Sequence, residues 1–294
     1  VTASFFLFLP QMRMTHEAIV ERAVAAEAAG FEGIAFMDHM APPLASDQPY
    51  WDAIAIAGWV LAKTTSLKAG HLVLCDGFRH PAVLARQALS LDHASGGRFE
   101  IGIGSGSVPA EFASYGMGSP TPRQRIARLA ESLDVMRALW TGEPVDYDGE
   151  YFTLRDAQLA PAPTAPIPIT IGGVGPRTLE LVRTHADWWN VPINEFHPDA
   201  AQRRELAGDA RVSVQTMVAL LPDEGARAEV TALVAKRYGG TVMGHRAVVG
   251  TADEVADYFV RTGATGVDRF YVWFADFAPP ATLERFAAVI SQVT

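Results

Sequence analysis

Cysteine is nearly absent. Cys75 is the sole one in 294 residues, which excludes an intrachain disulfide and any cysteine-rich metal site and suits a reducing cytoplasm. Lysine is almost as scarce: Lys63, Lys68 and Lys236 are all there are, so nearly all positive charge is arginine. Positive charge as a whole is in deficit, with 24 basic against 33 acidic residues and a net charge of −9. That balance argues against non-specific binding to nucleic acid or to an anionic membrane. Long apolar runs are missing too. Ser4–Leu9 is apolar but short and without a basic flank, so neither a spanning helix nor a signal peptide is expected there. The longest uncharged run, 157–176, carries five prolines and three glycines, a density no membrane helix tolerates. No HExxH, GxSxG or Walker loop occurs, and His80 and His93 are poorly spaced for zinc. No metal site, no membrane and no nucleic acid is therefore expected.

What is present is a large apolar fraction, 49%, arranged as short apolar runs alternating with segments of helical period. Strands are predicted at 5–9, 31–37, 67–74, 99–103, 167–171, 187–191, 212–220 and 267–274. Helices are predicted at 16–29, 51–63, 81–94, 124–140, 176–185, near 200–207, and at 226–238, 252–262 and 280–291. Two irregular stretches, 141–166 and 239–250, read as insertions after strands four and seven. Eight strands alternating with helices predict a parallel sheet buried on both faces, and eight is the number that closes as a (β/α)8 TIM barrel. A doubly wound open sheet is the competing reading. The chain reads as a single domain, 1–294.

In such a barrel, ligand-facing residues lie at the C-terminal ends of the strands. Strand two ends in Met37-Asp38-His39, an acid beside an imidazole that either moves a proton or ties down a loop. Strand four ends in Gly104-Ser105-Gly106-Ser107, where bare backbone admits a ligand or merely makes a tight turn. Strand five ends in Gly172-Gly173-Val174-Gly175, with Pro176 opening a helix. Free amides and the positive end of a helix dipole there make an anion site, unless the glycines serve only a turn. Trp51, Phe78, Tyr115, Trp188 and Trp273 fall near predicted strand exits. Trp51, Phe78 and Trp273 are candidates for a flat substrate pocket, core packing being the alternative for each. Cys75 reads as a buried strand-end residue rather than a nucleophile. Of Arg123, Arg125 and Arg128, one could pair with an anionic cofactor.

Several segments together are similar to the bacterial luciferase-like oxidoreductases. They include His80-Pro-Ala-Val-Leu-Ala-Arg86, Ser95-Gly-Gly-Arg98, Gly102-Ile-Gly-Ser-Gly106, Glu111-Phe112, Glu131-Ser-Leu-Asp-Val-Met136, Gly149-Glu-Tyr-Phe152, Pro168-Ile-Thr-Ile-Gly-Gly173 and Ala186-Asp-Trp-Trp-Asn190. The resemblance runs to about residue 191 and is thin beyond it.

This resemblance implies a (β/α)8 barrel that binds a flavin or deazaflavin at its C-terminal face. The Gly-Arg…Gly-x-Gly-x-Gly form around strand four resembles the branch that uses coenzyme F-420 (F420), as does Asp38-His39. It implies His39 and Asp38 as catalytic residues. It implies ring contacts from His39, from Leu72 and Val73 at a non-prolyl cis peptide in strand three, and from Gly104, Ser105, Gly106 and Ser107. Gly172, Gly173, Val174 and Gly175 would hold the phosphodiester. The glucose-6-phosphate dehydrogenases of the branch carry an acid directly after the glycine turn, where this chain has Ser107, and sugar-phosphate lysines are not evident. An apolar and aromatic pocket instead suits a small alcohol, ketone or enone. The expected activity is hydride transfer between F420 and such a small-molecule substrate. The alternatives are an FMN-dependent monooxygenase and a non-catalytic flavin-type binding protein. A homodimer is expected by the same resemblance, and a cytoplasmic location from the cysteine content.

Overall fold

The computed structural model describes residues 3–43, 47–191 and 200–294. The first barrel strands alternate with helices in the predicted order: β1 (Ser4–Phe8), α1 (His16–Ala28), β2 (Gly33–Phe36), α2 (Ala53–Lys63), β3 (Lys68–His71), β4 (Leu74–Cys75), α3 (Pro81–Ser95) and β5 (Ile101–Gly104). Then come α4 (Pro109–Ser114), α5 (Pro122–Leu139), the antiparallel pair β6 (Val145–Asp148) and β7 (Thr153–Ala157), β8 (Ile169–Gly172), α6 (Pro176–His185) and β9 (Trp188–Val191). The chain ends with α7 (Ala200–Ala207), β10 (Arg211–Leu220), α8 (Arg227–Tyr238), α9 (Val242–His245), β11 (Val248–Gly250), α10 (Ala252–Gly263), β12 (Arg269–Phe274) and α11 (Pro280–Val293).

The strands pair in parallel in the order β3-β2-β1-β12-β10-β9-β8-β5-β4, with β11 added beside β10. Nine segments make eight staves, because β3 and β4 are the two halves of the third strand, parted at Leu72–Val73 by a cis peptide bond. Below the break β3 touches both neighbours. It pairs with β2 and bridges at Ala69 to Phe99. Above it β4 keeps only β5, so the cylinder opens between β2 and β4 on its C-terminal side. The glycines of β5 follow from this. A Cβ on Gly102 would lie 1.8 Å from the His71 carbonyl oxygen, and one on Gly104 would lie 2.9 Å from the Val73 side chain. The break in strand three presses on β5, and only bare backbone leaves it room.

Alternation along β1 shows how the core divides. Phe5 points outward, with Phe259, Phe270 and Phe286 around it, in the layer between sheet and helices. Phe6 and Phe8 point into the cylinder with Ala35, Met37 and Tyr271. Local signals set the helix ends. Thr121 with Gln124 and Thr251 with Glu254 form capping boxes, and Gly96 in the left-handed region (φ 69°) closes α3.

Predicted and observed elements differ in four places, one of them the short helix α4, which falls between the predicted strand at 99–103 and the predicted helix at 124–140. The strand expected at 67–74 is interrupted. The first insertion holds the β6–β7 hairpin, pinned to α5 by Glu131, whose carboxylate accepts the amides of Glu150, Tyr151 and Phe152. The second holds α9 and β11, elements too short to show a period. No helix among the described residues is long and apolar enough to cross a membrane.

Candidate active site

Where strand three leaves β2, a side chain takes over the ladder. Asp38, buried just past the end of β2, accepts the Cys75 amide at 2.9 Å. Its two oxygens also accept Arg79 Nη1 and Nη2 at 2.6 and 3.0 Å. With the Cys75 amide this bidentate pair gives the carboxylate three donors, so the geometry gives Asp38, expected as a catalytic residue, a holding role. It fixes the mouth of the barrel. Behind it Asp76 is paired with Arg128, which takes that arginine away from any cofactor, and burial pushes the Asp76 carboxyl up from its ordinary value.

His39 is differently placed. Its backbone amide donates to the Tyr50 hydroxyl at 3.0 Å, and that hydroxyl donates to the Met37 carbonyl at 2.8 Å. Its Nδ1 lies 3.0 Å from Glu111 Oε2. The other Glu111 oxygen accepts the Met40 amide at 2.8 Å. Glu111 stands on α4, a helix that periodicity did not predict, and joins His39 across 72 residues of chain. Nδ1 carries a proton in the tautomer that donates to this carboxylate, which leaves Nε2 as the acceptor. Nε2 has no protein partner among the described residues.

Beside them lies a cavity of about 270 Å³. It is lined by Met37, Asp38 and His39, by Leu72–Cys75, by Gly104–Val108 with Glu111 and Phe112, and by Gly172. His39, Leu72, Val73, Gly104, Ser105, Gly106, Ser107 and Gly172 thus meet at one place. Gly106, at φ 86°, has no space for a side chain, since a Cβ there would come 2.8 Å from Cys75 Sγ. Burial pushes the Cys75 thiol up to about 12, so it is not a thiolate nucleophile.

Gly172 leads from this cavity to the start of α6. Gly173 is in the left-handed half of the map (φ 124°), and its carbonyl is held by Trp189 Nε1 at 2.8 Å. Gly175 caps α6 without a side chain and Pro176 occupies its first position. The leading amides of α6, at Arg177 and Thr178, are therefore uncapped, and Val174 and Gly175 are exposed beside them. An anion fits this place. A flavin-type cofactor needs a flat seat and a separate phosphate site. The bare-backbone cavity and the uncapped helix start supply both, at the same end of the barrel.

The aromatic candidates separate. Trp273 lines a second, larger cavity of about 660 Å³ at the tops of β1, β2 and β12, which shares Met37 with the first. Phe78 does not line the first cavity: it packs behind Phe112, 5.7 Å between ring centres, and Phe112 is the ring that faces it. Trp51 lies on the barrel flank, stacked on His16 at 3.9 Å with its Nε1 bonded to the Met14 carbonyl. A position next to a helix start put it near the rim in sequence but outside it in space. Trp188 begins β9 rather than ending it and stacks on Arg269 at the opposite end. Tyr115 is exposed. No cluster able to hold a metal occurs among the described residues.

This chain belongs to the luciferase-like monooxygenase family, whose model matches residues 3–239. An F420-dependent glucose-6-phosphate dehydrogenase from Tsukamurella paurometabola is 38% identical over 200 residues, which are 65% of this chain and 60% of that protein. The enzyme of the same name from Gordonia bronchialis is 35% identical over 160 residues, 54% of this chain and 47% of that protein. The match thus spans roughly half of these relatives' length. Solved structures share the fold over the full chain. An F420-dependent secondary alcohol dehydrogenase in complex with an F420-acetone adduct superposes with TM-score 0.84 at 20% identity, covering 100% of both chains. An EDTA monooxygenase from Chelativorans sp. BNC1 does so with TM-score 0.84 at 16% identity, covering 100% of this chain and 95% of that one.

Proposed function

We propose that this protein is an F420-dependent oxidoreductase that moves a hydride between the deazaflavin and a small organic substrate, an alcohol/ketone pair or an enone. The observation that carries this reading is the grouping of His39, the Leu72–Val73 break, the glycine turn and the uncapped start of α6 around one opening. Relatives named for F420 dependence, 38% and 35% identical over their matched parts, support it.

When bound, F420 supplies a ring carbon that gives or accepts hydride. The chain's own residues do the rest. The backbone of Leu72–Val73 and of Gly104–Ser107 seats the ring, and the α6 amides of Arg177 and Thr178 hold the phosphodiester. His39 Nε2 takes the proton of an alcohol oxygen or returns it to a ketone oxygen, and for an enone it gives a proton to the α-carbon. Glu111 is a positioning residue: it fixes the imidazole's tautomer and orientation through Nδ1. Asp38 and Arg79 hold the rim on which His39 stands. The hexose phosphate in the relatives' names is a poor substrate here, because beside its basic residues the larger cavity is lined by methionine, proline and aromatic side chains, which offer few partners to a sugar's hydroxyls.

Titration of the protein's tryptophan fluorescence with F420 and with FMN tests the assignment. F420 is expected to bind at least tenfold more tightly. Binding of FMN alone would favour an oxygen-using monooxygenase. Val174→Asp places a negative charge at an exposed position beside the α6 start and is expected to weaken F420 about tenfold. Unchanged affinity would remove the phosphodiester from that place.

A further inference from the structure

The larger cavity has a charge pattern opposite to that of the molecule. The chain carries −9 overall, yet Arg13, Arg22, Lys236 and Arg237 all border this one opening. Lys236 is one of just three lysines. Arg22 is occupied, its Nε on the Phe277 carbonyl and its Nη1 on that of Ala18. Arg237 gives one nitrogen to the Ala275 carbonyl. Arg13 and Lys236 are exposed and make no ion pair among the described residues. The nearby carboxylate of Asp276 is used within its own loop, by the Ala278 amide and the Thr282 hydroxyl.

Below these cations the wall is apolar. Met12, Met14, Met37 and Met243 face it with Trp273 and Phe277. Four flexible thioethers adapt to the shape of a hydrophobic guest. Trp273 and Tyr238 meet edge to face at 5.7 Å, and both the indole Nε1 and the phenol oxygen are buried without a partner among the described residues, a cost that a guest's acceptor would relieve. Met37 belongs to this wall and to that of the smaller cavity, and Leu72 packs in the same cluster. An apolar guest here therefore abuts the seat assigned to the ring.

We propose that this cavity is the substrate chamber and that its substrate is an amphiphilic anion. An apolar body lies among the methionines, and an acidic end lies at the mouth against Arg13 and Lys236. This rests on the oxidoreductase reading for what happens to the guest, but not for its binding. A chamber of this volume takes a drug-sized molecule, and cations at the rim that have no ion pair among the described residues select the charged end and steer its approach.

Calorimetric titration of the F420-loaded protein and of the cofactor-free protein with octanoate, octanol and glucose 6-phosphate tests the proposal. Octanoate is expected to bind about tenfold more tightly than octanol. The gap should narrow at high salt, because the cations are exposed. In the double variant Arg13→Gln/Lys236→Gln the two should bind alike, with octanol unchanged from the parent. Equal affinities in the parent protein, octanoate unaffected by the double substitution, tighter binding of glucose 6-phosphate, or no binding of octanoate at millimolar concentration would each overturn it. Failure of F420 itself to bind, with the octanoate pattern intact, would sink the cofactor reading and leave the chamber standing.

Discussion

The two ends of the barrel use charged side chains in opposite ways. At the N-terminal end Arg269 is 1% exposed, clamped between the rings of Phe6 and Trp188 at 3.8 and 3.7 Å. Its guanidinium donates to both oxygens of Glu100, at 2.7 and 3.3 Å, and to the Tyr271 hydroxyl. Glu100 also faces Lys68, which pairs with Glu32. The charges there meet opposite charges within the protein, and Trp188 Nε1 is the buried donor of the clamp that has no hydrogen-bond partner among the described residues. At the C-terminal end Asp38–Arg79 is likewise closed, but it stands at the same end as groups without partners among the described residues: His39 Nε2, the leading amides of α6, and the cations of Arg13 and Lys236. The charge-paired end holds the cylinder shut. The other end has capacity left for a ligand, as barrels of this kind divide their labour.

Four substitutions and one change of pH sharpen this contrast. Arg269→Leu leaves Glu100 buried without its main partner and is expected to cost about 3–5 kcal/mol of stability. F420 affinity of the folded fraction should change less than about twofold, because the pair lies at the far end of the barrel. Denaturant unfolding with a parallel cofactor titration checks both. A loss below about 1 kcal/mol would mean that the clamp is not a stabilising element.

His39→Gln should behave in reverse. Turnover is expected to fall about 10²–10⁴-fold, while stability and cofactor affinity stay close to those of the parent. Glu111→Gln should give a smaller loss, about tenfold, with a displaced pH–rate profile, because it acts through the imidazole's tautomer and basicity. Steady-state rates measured across pH decide this, and a profile identical to the parent's would deny Glu111 its positioning role.

The smallest effect concerns acid. His71, below the break in strand three, is fully buried, and that burial holds its imidazole down to about 4. Its folded value lies below the unfolded one, so the stability tied to its neutral form is present above about pH 6.5 and is lost as pH falls toward 4. Unfolding at pH 5 is expected to show about 2 kcal/mol less stability than at pH 7 from this group alone. His71→Gln should flatten that slope. An unaltered slope would assign the acid sensitivity elsewhere.

How much of this was legible in sequence depended on the range of the interaction. The period of the apolar residues located α1, α6 and α8 within a residue or two, since a helix buries one face of a local segment. The glycines of Gly102-Ile-Gly-Ser-Gly106 were legible as a site, but the reason lay elsewhere. They clear the protein's own strand three at His71 and Val73 as well as opening a cavity. Glu111 belongs to the family pattern but nothing local marks it as the partner of His39, and nothing beside Phe78 marks Arg79 as the partner of Asp38. Both act on residues 72 and 41 positions away, and no local period encodes such a pairing. Trp51 and Trp188 failed for a related reason. Their distance from a strand end along the chain says nothing about which end of the cylinder they reach.

Sequence alone therefore determined the alternation of strands and helices, the closure number and the two glycine turns, because apolar periodicity and bare backbone are local properties of the chain. Tertiary structure decided which acid ties down the rim and which holds an imidazole, which aromatics line a cavity, and that scarce cations gather over a methionine-lined chamber in an acidic protein. Those outcomes depend on which distant side chains the closing of the barrel brings within hydrogen-bond and van der Waals reach.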